Sequence, residues 1–370
     1  MKLKLLIIFG SFFVALSSFI YVAVPVVNAQ SVEGEESVFG VINKSGEFVK
    51  VVEKNVAEYG DSDFEDVEFH PMQIKVLRER EYPGSEIKIS YELLPHTNYR
   101  RYVAWYTSQG LIIYGLLTIP TFEQPAEGWP AILILHGYIE PEKYDTVGHY
   151  SEEQEYFAAE KFVTFKPDYR GHGNSGGTEE GVYFSPGYTT DALNAAASLQ
   201  KMDYVNPDNI GVWAHSMGGN ILVRSMVVED TIHAGVVWGG VVSSYPDIFM
   251  NWEKDWNDLQ YLGRLDDDNY VSDGVIKKRG TFKDKEKYWD SLSATSYLED
   301  ISGPLQIHHG DADKEVPIEF SEHLAKYLDQ ADAEYEFFVY AGGDHNLDEP
   351  EGAKEQALKR SLEFLARELR

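Results

Sequence analysis

Residues 211–220 read GVWAHSMGGN, and the fold turns on whether Ser216 sits in the bend between a strand and a helix. Ahead of it, IGVWA (210–214) has the continuous apolar character of a strand buried on both faces. Behind it, GNILVRSMVV (219–228) reads as a helix. A serine on such a bend is pushed out at the carboxyl end of its strand, where open α/β sheets place their ligands. The bend is tight, so the positions two before and two after the serine need small residues. Here they are Ala214 and Gly218, with alanine at a place where glycine is usual. The adjacent His215 cannot serve as the base, because neighbours on an extended strand point to opposite faces. A partner must come from elsewhere in the chain, and without one Ser216 reads equally well as a helix cap.

Working outward, the chain alternates strand and helix. SEIKISYEL (85–93) and RRYVAWYTSQGLIIYGLLTIP (100–120) carry the alternation of antiparallel strands, and GWPAILILHGY (128–138) holds a short buried one. YFAAEKF (156–162) predicts a helix, VTFKPDYRGHG (163–173) a strand entering a loop, and TTDALNAAASLQKM (189–202) a helix capped by Thr190 or Asp191. After the Ser216 turn come strand HAGVVWGGVV (233–242), strand PLQIHHG (304–310), helix FSEHLAKYLDQ (320–330), strand EYEFFVYAG (334–342) and a final helix. Repeated β-α units imply a mainly parallel twisted sheet with helices on both faces. Residues 246–298 interrupt the pattern with acids and aromatics, which predicts a helical insertion over one sheet edge. Packing against the body is the first expectation for each of its aromatics, and Trp252, Trp256 and Tyr261 are the candidates for a substrate-facing lid.

Two later loops supply what Ser216 lacks. Strand PLQIH runs into HGDADKEVP (309–317), with carboxylates at Asp311 and Asp313, and strand EYEFFVYAG runs into GGDHNL, with His345. Both leave the carboxyl ends of strands, in the order serine, acid, histidine. With HGY (136–138), DYRGHGNSGG (168–177) and AHSMGG (214–219), these loops make the chain from about residue 100 onward resemble an α/β-hydrolase. The resemblance is greatest to the catalytic domain of the prolyl-oligopeptidase family and its esterase relatives. That family's acid loop, Gly-x-x-Asp-x-x-Val-Pro, falls on Gly310, Asp313, Val316 and Pro317, so it selects Asp313 over Asp311.

The resemblance implies a serine hydrolase working through an acyl-enzyme. Ser216 would be the nucleophile, His345 its base and Asp313 the orienting acid, with the Met217 and Tyr138 amides as oxyanion donors. The substrate is a small molecule with an ester or a small peptide or amide bond, and no cofactor or metal is implied. Family members that select oligopeptides carry a β-propeller, for which the roughly 70 residues between leader and hydrolase core are too few at about 40 per blade. Esters are therefore favoured, with exopeptidase or oligopeptidase action as the alternative. A binding protein on a hydrolase fold is the reading from a different class.

Composition bounds these expectations. The 370 residues hold 61 acidic and 32 basic side chains, a net charge of −29, and no cysteine. Such acidity repels phosphate backbones, so nucleic acid is not an expected partner, and the missing thiols exclude disulfides and cysteine chemistry. Lys2 and Lys4 precede an apolar run from Leu5 to Val27, and Val27-Asn28-Ala29 has the small residues of a cleavage site. Residues 1–29 thus read as a signal peptide or, through 5–27, a membrane anchor; either places the protein outside the cytoplasm. Residues 30–84 read as an acidic extension, and 85–370 as the hydrolase domain. His136 and His172 are assigned to loop support, His215 to packing beside the turn, Asp168 and Arg170 to bracing, and a metal at His308-His309 with Asp311 and Asp313 is disfavoured because adjacent strand residues diverge.

Overall fold

The computed structural model describes residues 70–179, 183, 185–252, 283 and 286–370, together with the backbone of 40–42 and 48–50. The chain divides into two compact units, Met1–Val67 and Glu68–Arg370. In the first, β1 (Gly40–Ile42) pairs antiparallel with β2 (Phe48–Lys50). The expected leader, 1–29, lies outside the described residues. Among the described residues no helix is long and apolar enough to cross a membrane.

The second unit holds a nine-stranded sheet. Its strands are β3 (Lys88–Glu92), β4 (Tyr99–Ser108), β5 (Leu111–Pro120), β6 (Trp129–Leu135), β7 (Val163–Pro167), β8 (Val205–His215), β9 (Ala234–Trp238), β10 (Leu305–Gly310) and β11 (Tyr335–Tyr340). They lie in the order β11-β10-β9-β8-β6-β7-β5-β4-β3. From β7 to β11 every pairing is parallel, and the meander β3-β4-β5 joins β7 antiparallel. Every residue of β6 is buried, as its unbroken apolar run requires.

Alternation along the central strands feeds two cores. Ala131, Leu133, Val212 and Ala214 point into one, which receives Leu193 of α3 (Gly187–Leu199), Leu222 of α4 (Met217–Val228) and Phe320 of α7 (Ile318–Gln330). Ile132, Ile134 and Trp213 point into the other, with Phe157 of α2 (Ser151–Ala159) and Phe364 of α8 (Ala353–Glu368). Helices on both faces of a mainly parallel sheet make the α/β-hydrolase fold that the sequence led us to expect.

Three details depart from the sequence reading. The compact unit reaches back to Glu68, ahead of the boundary placed at 85. Helix α1 (Ile74–Arg78) buries Ile74, Val76 and Leu77, and Arg78 donates from Nε and Nη2 to the Val227 carbonyl at 2.8 and 2.6 Å. Helix α3 starts at Gly187, so neither Thr190 nor Asp191 caps it; the Asp191 carboxylate is taken by Arg170, at 2.8 Å from Nη2 and 3.0 Å from Nε. Strand β9 stops at Trp238 instead of running to Val242, because Gly239 turns the chain at φ 51°.

Among its described residues, the segment joining β9 to β10 holds α5 (Tyr245–Asn251), α6 (Glu286–Leu292) and a 3-10 stretch at Ala294–Asp300. Trp256 and Tyr261 lie outside the described residues.

Candidate active site

Ser216 links β8 directly to α4 with φ 55° and ψ −119°, a conformation that costs a non-glycine residue about 1–3 kcal/mol. The surroundings hold it there. Its amide donates to the Trp238 carbonyl at 2.9 Å, and its own carbonyl accepts from Gly219 at 3.0 Å and Val241 at 3.1 Å. Gly218 is obligatory at this crossing, since a Cβ would lie 2.1 Å from the Leu135 carbonyl oxygen at the end of β6. The methyl group of Ala214, by contrast, is absorbed in the core. Helix α4 begins at Met217, so the Met217 amide has no carbonyl one turn back in the helix to bond to. The loop after β6 passes against the serine: a Cβ on Gly137, the residue before Tyr138, would sit 3.0 Å from Ser216 Cβ.

The loops after β10 and β11 are interlocked. A Cβ on Gly310 would meet the Gly343 carbonyl oxygen at 2.1 Å, so only glycine permits the approach. The Ala312 amide donates to Gly343 at 3.0 Å, and the Gly342 amide donates to Asp311 Oδ1 at 2.6 Å. Asp311 thus faces the loop backbone, whereas Asp313 faces His345, whose Nδ1 lies 2.7 Å from Asp313 Oδ2. Asp313 Oδ1 accepts from the Glu315 and Val316 amides at 2.7 and 3.0 Å, and His309 Nε2 lies 3.2 Å from Oδ2. Burial alone would raise this carboxyl. The hydrogen bonds from His309, His345 and the Val316 amide outweigh it and hold Asp313 well below the usual carboxylate range.

A carboxylate at Nδ1 makes that nitrogen the protonated one and leaves Nε2 of His345 with a free lone pair. The ring lies beside Gly239, where a Cβ would be 3.1 Å from His345 Nδ1. Gly239 follows the residue whose carbonyl holds the Ser216 amide. One rim of the sheet therefore collects Ser216, Met217, Tyr138, Asp313 and His345.

The other predicted residues divide. Trp252 is 7% exposed, packs on Phe320 and Tyr183, and donates its indole N–H to the Glu315 carbonyl at 2.9 Å. It also borders a cleft of about 860 Å³ with Asp311, Asp313, Lys314 and His323. His308 and His309 turn to different partners, Tyr340 with Gln306 for one and Ser321 with Val316 for the other. Among the described residues no group of three or more potential ligands could hold a metal. His172 meets the Ile139 carbonyl at 3.1 Å, and Asp168 accepts from the Tyr144 and Thr146 hydroxyls at 2.9 and 2.6 Å.

The sequence reading missed Tyr150, whose hydroxyl lies 2.7 Å from His215 Nδ1 and accepts from the Gly137 amide at 3.0 Å. Nothing in its local sequence marks it, since both partners are long-range.

The sheet order and the turn-borne serine define a class: this is a serine hydrolase on the α/β-hydrolase fold. Residues 148–370 match the Prolyl oligopeptidase family, and the chain belongs to that family. It is 27% identical over 252 residues to the uncharacterized peptidase YtmA of Bacillus subtilis (strain 168), covering 68% of this chain and 88% of that protein. Among solved structures it is similar to the acetyl xylan esterase from Paenibacillus sp. R4, with a TM-score of 0.58, 15% identity, and 79% and 92% of the two chains covered. It is also similar to the Pyrococcus horikoshii acylaminoacyl peptidase, with a TM-score of 0.57, 18% identity, 74% of this chain and 42% of that one. At these identities the structural likeness speaks for the fold.

Proposed function

We propose that the protein cleaves an ester or a small peptide or amide bond through an acyl-enzyme on Ser216, with esters the faster substrates. The observation that carries this reading is the 2.7 Å bond from His345 to Asp313, on loops that meet the Ser216 turn at one rim. His345 Nε2 takes the hydroxyl proton as Ser216 Oγ attacks the carbonyl carbon, and Asp313 stabilises the imidazolium. The Met217 and Tyr138 amides donate to the developing oxyanion, each worth about 3–4 kcal/mol in the transition state. His345 then protonates the leaving group, and water repeats the sequence on the acyl-enzyme. An alkoxide departs with less help than an amine, which favours esters. The name of the Bacillus relative favours the second reading, peptidase action.

Labelling with a fluorophosphonate probe tests the proposal. The folded protein is expected to take up one label, and Ser216→Ala none. Label retained on Ser216→Ala, or absent from the unaltered protein, overturns it. A panel of acetyl, feruloyl and longer aryl esters beside aminoacyl and prolyl amides then ranks the two bond types.

A further inference from the structure

Resting on the Ser216–His345–Asp313 reading, we infer that His215 is a positioning residue that registers three loops at once: the serine turn, the histidine loop and the oxyanion loop. It is the residue before the serine, and it is nearly fully buried. Its Nε2 lies 3.0 Å from the His345 carbonyl oxygen, and its Nδ1 lies 2.7 Å from the Tyr150 hydroxyl. A carbonyl can only accept, so the proton sits on Nε2, and Nδ1 must accept from the Tyr150 O–H. The tyrosine oxygen is then free to accept the Gly137 amide, at 3.0 Å.

Every proton in this chain has one direction. Gly137 N–H donates to Tyr150, Tyr150 O–H donates to His215, and His215 Nε2–H donates to the main chain of His345. One end fixes the backbone next to Tyr138, whose amide is the second oxyanion donor of the proposed mechanism. The other end fixes the backbone of the base. The ring itself stands 4.6 Å from the His345 ring, centroid to centroid, and stacks on Trp213 at an interplanar angle of 11°.

The arrangement requires a neutral imidazole, because a second N–H would confront the hydroxyl proton of Tyr150. Burial, and after it the neighbouring His345, pushes His215 down to about 3, so the neutral form is kept at neutral pH. An apolar ring of equal size would fill the space but strand the Tyr150 hydroxyl and the His345 carbonyl. Packing alone therefore does not account for a histidine here.

Steady-state kinetics on an aryl acetate, with active sites counted by fluorophosphonate and folding followed by thermal melting, separate positioning from packing. His215→Phe and Tyr150→Phe are each expected to lower kcat per titrated site by about 10- to 100-fold with KM little changed, the size of effect a small misplacement produces. His215→Gln, whose amide nitrogen reaches the place of Nε2, is expected to recover part of the loss. The double variant should be no slower than the slower single one, since both break one chain. Additive losses, no recovery by glutamine, or unchanged kcat in folded His215→Phe or Tyr150→Phe would overturn the inference. Ser216→Ala run beside them separates the two readings: if it keeps full turnover, the nucleophile assignment fails instead.

Discussion

Asp313 and Asp168 are both buried carboxylates on loops that leave the carboxyl rim of one sheet, yet their surroundings push them in opposite directions. Asp313 receives two backbone amides and two imidazoles, and it is held low despite its burial. Asp168 receives two hydroxyls, from Tyr144 and Thr146, with Lys166 as the nearby cation, and burial wins: it is pushed up to about 6. Lys166, donating to the His149 carbonyl, is itself pushed down by burial to about 8. Burial alone thus does not set the charge. Fixed N–H donors keep the Asp313 carboxylate ionised, whereas two hydroxyls and Lys166 do not offset the deeper burial of Asp168.

The difference has consequences of opposite sign. Asp313, being depressed, contributes stability that is present above the ordinary carboxylate value and lost as pH falls through its own lower one. Asp168, being raised, contributes stability that is full below 3.8 and lost as pH rises through about 6.

The largest test replaces the charge that the structure holds. Asp313→Asn cannot fix the His345 tautomer, and kcat for ester turnover is expected to fall by about a thousand- to ten-thousand-fold. A fall of less than tenfold in steady-state assays would dissolve the contrast between the two acids. Next comes the charge that the structure resists. In urea unfolding, the stability of the unaltered protein relative to Asp168→Asn is expected to decline from pH 4.5 to pH 7.5, by about 1–3 kcal/mol. Parallel curves for the two proteins would count against the raised value. The smallest effect is reserved for Asp311, which supports only the Gly342 amide. Asparagine retains an acceptor there, so Asp311→Asn should change kcat by less than about threefold, a neutral bond being worth about 0.5–1.5 kcal/mol. A loss matching that of Asp313→Asn would reverse the assignment of the two aspartates.

Much of this was legible because it is local. The apolar run of β6, the small residues around Ser216 and the order of the acid and histidine loops are written in consecutive letters. What escaped depends on distant partners. Asp191 carries the residue type of a helix cap, but the Arg170 guanidinium claims it from within α3. Helix α1 is five residues long, too short to show a period, and is recognisable only by what it buries. His215 reads in the sequence as packing beside the turn; that it spans Tyr150 and His345 is visible only once residues 65 and 130 positions away are folded beside it.

The contact of Gly310 with Gly343 carries a lesson for inheritance. Two peptide segments that touch main chain to main chain cannot drift separately, because a side chain acquired by either one displaces the other. The acid loop and the histidine loop are therefore free to change only together. A chimera joined between the two segments is expected to keep the contact only when both parents hold glycine at both places.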